Sequence, residues 1–213
     1  MNAFAKLPQK KQVHILDAAT ESFAEKGYFG ASIKEICQRA DISNGALYKY
    51  FRNKEELYFV ILKKCQDILV QQLYERHTQL NHSFKTTVRM YLEQIETLHK
   101  KYPNYIRIYA NLGSNNMELF SQKMHDDFMK SGSYVISMVS EAKQRNEIPQ
   151  HIDDNVLAFL LDNYFILFLY SLVSDYHEKR FRSFLRIKEN EALTSKKKIN
   201  FILDAIEIFM HQR

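Results

Sequence analysis

Only 5 glycines and 3 prolines punctuate this chain of 213 residues, and that scarcity limits its fold more than any other feature. Sandwiches, barrels and open α/β sheets need many tight turns, which draw on Gly for positive φ and on Pro for a preset φ. An all-α fold is therefore predicted. The length allows a sizeable core, either one large domain or a small domain joined to a larger one. With 46% hydrophobic and 26% charged residues, the composition is that of a globular protein and excludes disorder. Cys37 and Cys65 lack any paired-motif spacing, and the opening MNAFAKLPQKK lacks the apolar stretch of a secretory signal, so a reducing cytoplasm is expected. The longest apolar run, Val156 to Val173, is interrupted by Asp162 and Asn163 and falls short of the roughly 20 residues that span a bilayer. A buried helix is expected there, with no membrane partner.

Net charge is +5, and its distribution says more than its size. Residues 1–54 hold nine Lys/Arg against five Asp/Glu, whereas the rest holds 21 against 20. A small basic region of this kind is suited to meeting an anion. Within it, Leu16, Ala19 and Phe23 repeat at helical spacing, and Gly27 is a natural stop. Ser32 offers an N-cap with Glu35 completing a capping box, before a short helix ending near Ala40. Ser43 starts another cap ahead of Asn44-Gly45-Ala46 and the cluster Leu47-Tyr48-Lys49-Tyr50-Phe51, and Asn53 caps a helix opened by Lys54-Glu55-Glu56-Leu57. Two short helices joined by three or four residues, preceded by a longer one that packs across both, form the layout of a helix-turn-helix module. Beyond it, helices are predicted at roughly 54–80, 84–101, 104–112, 117–145, 153–178 and 195–211, with Gly132 a possible kink.

The run from Ser32 to Leu57, with its LYKYF core and following NKEEL, resembles the DNA-binding domain of the TetR family of bacterial transcriptional regulators. The upstream stretch Ile15 to Gly27 does so as well. Cys37 and Asp41 stand where similar proteins commonly carry Ala and Gly; Cys suits a buried slot, and Asp tolerates the left-handed conformation. The resemblance implies a helix-turn-helix DNA-binding domain over residues 1–53 and a helical ligand-binding and dimerisation domain over residues 54–213, whose last two helices would form a four-helix interface with a second chain.

The residues support the DNA reading independently. Ser43, Asn44, Gly45 and Ala46 form an N-terminal helical turn whose free N–H groups favour a phosphate. Tyr48 and Tyr50 cannot both serve the core beside Leu47 and Phe51, so at least one phenol is expected to face a phosphate. Lys49 lies between them. Lys54 sits at a helix N-terminus, where an external anion is expected to offset the unfavourable charge–dipole placement. Ser32 and Lys34 belong to the second helix, and Lys34 is the best placed to reach a guanine edge. Asn44 suits either an adenine or a phosphate.

No P-loop, GxGxxG, GxSxG, HExxH or EF-hand loop is present, so neither catalysis nor a cofactor is expected. The histidines are scattered singly, and the adjacent Asp126 and Asp127 beside His125 do not share a helix face, so no metal site is assigned. Large adaptable side chains dominate the rest. Tyr91, Tyr109, Phe120, Met124, Phe128, Asn163 and Tyr164 are the candidate wall of a pocket for a small organic effector, with a dry core as the alternative. Asp162 and Asn163 need polar partners, which a ligand, a neighbouring helix or a dimer mate would supply. The function expected is a homodimeric repressor released from palindromic operator DNA by a small hydrophobic or aromatic effector. A helical enzyme or adaptor, or a DNA-binding regulator without ligand gating, is the alternative.

Overall fold

The computed structural model describes residues 3–74, 82–113 and 117–210; for residues 74, 113, 119, 121, 125–131 and 209 it describes the backbone only. Among these residues the regular structure is helical throughout: α1 (Gln9–Gly30), α2 (Ile33–Arg39), α3 (Asn44–Tyr50), α4 (Lys54–Leu69), α5 (Phe84–Lys101), α6 (Pro103–Ala110), α7 (Glu118–Lys123), α8 (His125–Gln144), α9 (Asp154–Val173), α10 (Asp175–Leu185) and α11 (Ser195–Met210). A 3-10 turn, Ala3–Lys6, precedes α1, and a π-helical turn, Val70–Tyr74, extends α4.

Local chemistry sets the boundaries. Gly27 takes φ 69°, kinking α1 before its last turn. Asp41 takes φ 50° just past α2, and the Ile42 N–H bonds the Cys37 carbonyl at 3.0 Å, which ends the helix in a Schellman-type turn. The Ser43 hydroxyl accepts from the Ala46 N–H at 3.1 Å, and Asn53 Oδ1 accepts from the Glu56 N–H at 2.8 Å. Asp153 caps α9 by accepting from the Asn155 and Val156 N–H groups at 2.9 and 3.0 Å. The expected Ser32 capping box does not form. Glu35 is drawn away instead by Lys26 at 2.6 Å and Arg39 at 3.0 Å.

The chain divides into two compact units. The first comprises the residues up to Ile68 together with Tyr102–Gln122. The expected division after residue 53 therefore lies short of this boundary, because most of α4, and α6 with it, belongs to the first unit. Its core is built from Ile15, Ala19 and Phe23 of α1, Ile36 and Cys37 of α2, Leu47 of α3, Leu57, Tyr58 and Ile61 of α4, and Ile106 and Ile108 of α6, all buried. Helix α1 packs on both α2 and α6.

The second unit holds Leu69–Lys101 and the residues from Lys123 onward. Helix α9 is its centre, in contact with α5, α8, α10 and α11. It is long and apolar enough to cross a membrane by length and composition, yet Leu161, Phe165 and Phe168 are buried among those neighbours. Three predicted elements change. The helix expected over 117–145 divides at Met124. Helix 153–178 ends at Val173, and a separate α10 starts at Asp175 and runs into the stretch left without a helix before residue 195. Regular α-helix from Lys54 ends at Leu69, and residues 75–80 of the expected span lie outside the described ones. Gly132 produces no break in α8.

Candidate nucleic-acid interface and effector domain

Helix α3 exposes one face and anchors the other. Leu47 is buried, and Phe51 packs against the ring of Phe4 at 4.9 Å, while Ser43, Asn44, Gly45 and Lys49 are exposed and Ala46 is half-buried. Tyr48 is 53% exposed, and Tyr50 is half-buried with its ring 6.1 Å from Phe4. Tyr48 is therefore the outward phenol. Ser32 and Lys34 are also exposed, on and just before α2.

The charge pattern separates structural cations from available ones. Arg39 meets Glu25 at 2.7 Å, Lys26 meets Glu35 at 2.6 Å, and Arg52 lies near Glu56 at 3.7 Å. The hydrogen bond from Arg39 holds the Glu25 carboxyl below its usual range, and the bond from Lys26 does the same for Glu35. Lys34 and Lys49 make no ion pair among the described residues. Lys6, Lys10 and Lys11 make none either, and α1 has no acidic residue in its first turn. These three cations escaped the sequence reading, although KLPQKK ahead of an amphipathic helix was the signal for them.

Lys54 corrects an expectation. Its ammonium donates to the Ala31 carbonyl at 3.1 Å and the Phe29 carbonyl at 3.4 Å, and it lies 4.7 Å from the Tyr28 ring centroid. An external anion is thus not the only group offsetting its charge, because carbonyl oxygens at the end of α1 already do so. Burial lowers its pKa.

The candidate effector residues do not form one cluster. Phe120 is buried in the first unit, 4.7 Å from Tyr58 and 4.8 Å from Tyr28 by ring centroids. Tyr109 belongs to that unit as well, half-buried on α6. In the second unit Tyr91 stacks near Phe165 at 4.2 Å and Tyr134 at 5.9 Å. Met124 is buried there, and the side chain of Phe128 lies outside the described residues. Asn163 is exposed and donates to the Phe159 carbonyl of its own helix at 2.7 Å, so its polar partner is local. Burial raises the pKa of Asp162. Tyr164 lines a groove between α9, α10 and α11 with Leu167, Phe181, Phe184 and Phe201. The spacing of Phe181 and Phe184 was a helical signal for α10, hidden by the charges around them.

Cys65 Sγ–H donates to the Tyr105 carbonyl at 3.2 Å, and burial raises its pKa strongly. A thiol so held off its thiolate is inert. Among the described residues, no three His, Cys, Asp or Glu side chains group as metal ligands.

The profile of the family described as "Bacterial regulatory proteins, tetR family" matches residues 15–61. The HTH-type transcriptional regulator HbdR of Aromatoleum sp. (strain CIB) is 34% identical over 77 residues, which is 36% of this chain and 34% of that protein. The chain thus spans about a third of HbdR. The biofilm operon icaADBC HTH-type negative transcriptional regulator IcaR of Staphylococcus aureus (strain Newman) is 25% identical over 154 residues, covering 71% of this chain and 81% of IcaR. Among solved structures, AibR in complex with isovaleryl coenzyme A and operator DNA superposes with a TM-score of 0.66 at 18% identity, over 92% of this chain and 97% of that one. With the helix-turn-helix sequence, the exposed α3 and the all-helical second unit in agreement, the chain belongs to the TetR family of bacterial regulatory proteins.

Proposed function

We propose that this chain is a dimeric transcriptional repressor that holds operator DNA through α3 and is released by a small effector bound in its second unit. One observation carries the DNA part: α3 presents Ser43, Asn44, Gly45, Tyr48 and Lys49 to solvent, while its apolar side is locked into the core by Leu47. In this reading Ala46, Tyr48, Tyr50, Lys49 and Lys54 meet phosphates, Ser32 and the α3 N-terminal turn fix the register, and Lys34 reaches a base edge. The negative regulator IcaR supports repression, and the operator complex of AibR supports the DNA partner. The site of action is the cytoplasm, where the DNA lies.

The surface of α9 supports dimerisation. Val156, Phe159 and Ile166 are exposed on one stripe of that helix, and Ile208 is exposed on α11. Apolar side chains at that density need covering, and a second copy supplies the cover. The effector is a small hydrophobic or aromatic molecule, with Tyr91, Met124 and Tyr164 of the second unit as its candidate contacts. The isovaleryl coenzyme A complex of AibR supports the binding of an organic ligand by a fold of this kind. Coupling runs along the chain where it passes from one unit to the other, at the end of α4 after Ile68, just before α6 and at the end of α7.

The test is a fluorescence anisotropy titration against the DNA flanking the coding region. Saturable binding to a near-palindromic segment is expected, with half-sites about 34–36 Å apart or a multiple of that turn. Equal affinity for flanking and unrelated DNA overturns the regulator reading.

A further inference from the structure

The groove between α9, α10 and α11 has a volume of about 280 Å³ and is walled by Tyr164, Leu167, Phe181, Phe184, Phe201 and Ile202. Ala205, His177 and Arg180 complete the lining. On α9 the residues Tyr164, Leu167 and Ser171 follow helical spacing along one stripe. On α11 the residues Lys198, Phe201, Ile202 and Ala205 do the same. A pair of hydrogen bonds ties the stripes together, since the Lys198 ammonium donates to the Ser171 carbonyl at 2.9 Å and to the Ser171 hydroxyl at 3.2 Å. Lys198 therefore stands one helical turn beyond the groove-lining residues of its own helix. The ring of Phe181, a groove wall, lies 5.9 Å from its nitrogen.

Lys198 is only 4% exposed. An ammonium taken out of water is costly unless it is paired, and no carboxylate bonds this one among the described residues. The acidic groups that act on it, Glu178 and Glu96, are engaged elsewhere: Glu178 with Arg182 at 3.1 Å, and Glu96 with Lys100 at 2.6 Å. Burial lowers the lysine's pKa, and Arg182 adds to that effect. Capping the end of α9 accounts for the two bonds to Ser171. The Ser171 oxygens and the Phe181 ring partner the ammonium, and a third N–H remains for an acceptor one helical turn beyond the residues that line the apolar groove.

We propose that this groove binds an amphipathic carboxylate, with the apolar chain against Leu167, Phe181, Phe201 and Ile202 and the anionic head bonded to Lys198. The inference rests on the reading of the second unit as the effector domain. It names the chemical class of the effector, an apolar chain ending in a carboxylate, and the residue that selects it.

The test is calorimetric titration of the full chain, without DNA, by decanoate, decan-1-ol and decyltrimethylammonium. Decanoate is expected to saturate at one per chain. The alcohol is expected to bind roughly 10-fold more weakly or worse, because it lacks a charge-assisted hydrogen bond, and the cation is expected not to bind. In Lys198→Met the preference for decanoate over the alcohol should vanish. In Ala205→Phe both should be lost, because the new ring fills the groove while Lys198 keeps its cap. Equal affinity for decanoate and decan-1-ol in the unsubstituted chain overturns the proposal, as does a preference that survives Lys198→Met. If Lys198→Met does not fold, the three-ligand comparison and Ala205→Phe decide alone. Decanoate affinity that falls as protein concentration rises assigns the groove to a second copy and also overturns it. DNA titration of the same preparation keeps the readings apart: a chain that binds DNA but no decanoate sinks only this inference, and one that binds decanoate but no DNA sinks only the regulator.

Discussion

Gly45 occupies the second position of α3, where an added Cβ would meet nothing nearer than the Ser43 hydroxyl at 4.0 Å. Its φ is not positive, so neither space nor backbone conformation requires glycine within the chain. Glycine there weakens the helix, and in the proposed complex it leaves room for the close approach of DNA. Gly45→Ala is expected to raise stability by about 0.5–1 kcal/mol, seen in thermal unfolding, while lowering DNA affinity. An unchanged DNA affinity would show that nothing comes close at this position. The lysines divide by a similar argument. Lys49 makes no ion pair among the described residues, so Lys49→Ala should leave the unfolding midpoint unchanged and reduce the salt slope of DNA binding by about one. Lys54 is bonded to the Ala31 and Phe29 carbonyls, so Lys54→Ala should weaken binding to all DNA sequences and also cost about 1 kcal/mol of stability. Stability unmoved by Lys54→Ala would return that residue to the purely external role first read from its position.

At the scale of elements, the helices that were legible in the sequence are those whose ends carry their own chemistry. Ser43, Asn53 and Asp153 each accept backbone N–H groups at the helix starts, and Gly27 and Asp41 take the positive φ expected of an end. Asp153→Ala should lower stability by about 1 kcal/mol, with α9 losing protection at its first turn in hydrogen exchange. Ser32 had the same sequence signature and failed, because Glu35 satisfies Lys26 and Arg39 from neighbouring turns, which a local pattern does not reveal. That carboxyl cluster carries an acid signature. The folded-state pKa values of Glu25 and Glu35 lie below the ordinary 4.5, so their contribution is present above that value and lost as pH falls through the folded one. The midpoint of the unsubstituted chain should therefore fall more steeply on acidification than that of Glu35→Gln. Helix α10 was not legible, since five cations and two acids from Asp175 to Lys188 mask the apolar stripe of Phe181 and Phe184. The groove was hidden for the same reason: its third wall belongs to that helix. Nor does periodicity record that Phe120 would join Tyr28 and Tyr58 in the first unit, because a stripe of aromatic residues has the same spacing whichever neighbours it meets.

For the whole molecule, a single α3 of 7 residues reads only one half-site, so tight and selective binding needs two copies at a fixed separation. Phe159 is 68% exposed on α9 and does not line the groove, so it separates assembly from effector binding. Sedimentation of the unsubstituted chain at micromolar concentration should give twice 25.3 kDa. Phe159→Glu should give a folded monomer that keeps decanoate affinity and loses operator affinity, and a Phe159→Glu dimer would remove this face from the interface. Gating adds a stricter condition. An effector shifts the equilibrium between DNA-competent and released forms only by its differential affinity for the two, and a coupling of about 1–3 kcal/mol changes operator affinity roughly 5–150-fold. Linkage makes the factor reciprocal, so operator DNA must weaken effector binding by the amount that the effector weakens operator binding. Titrating decanoate into the dimer with and without operator measures one factor, and titrating operator with and without decanoate measures the other. Two equal factors above unity establish the gate. Two factors of unity leave a DNA-binding protein whose bound amphiphile does not control it.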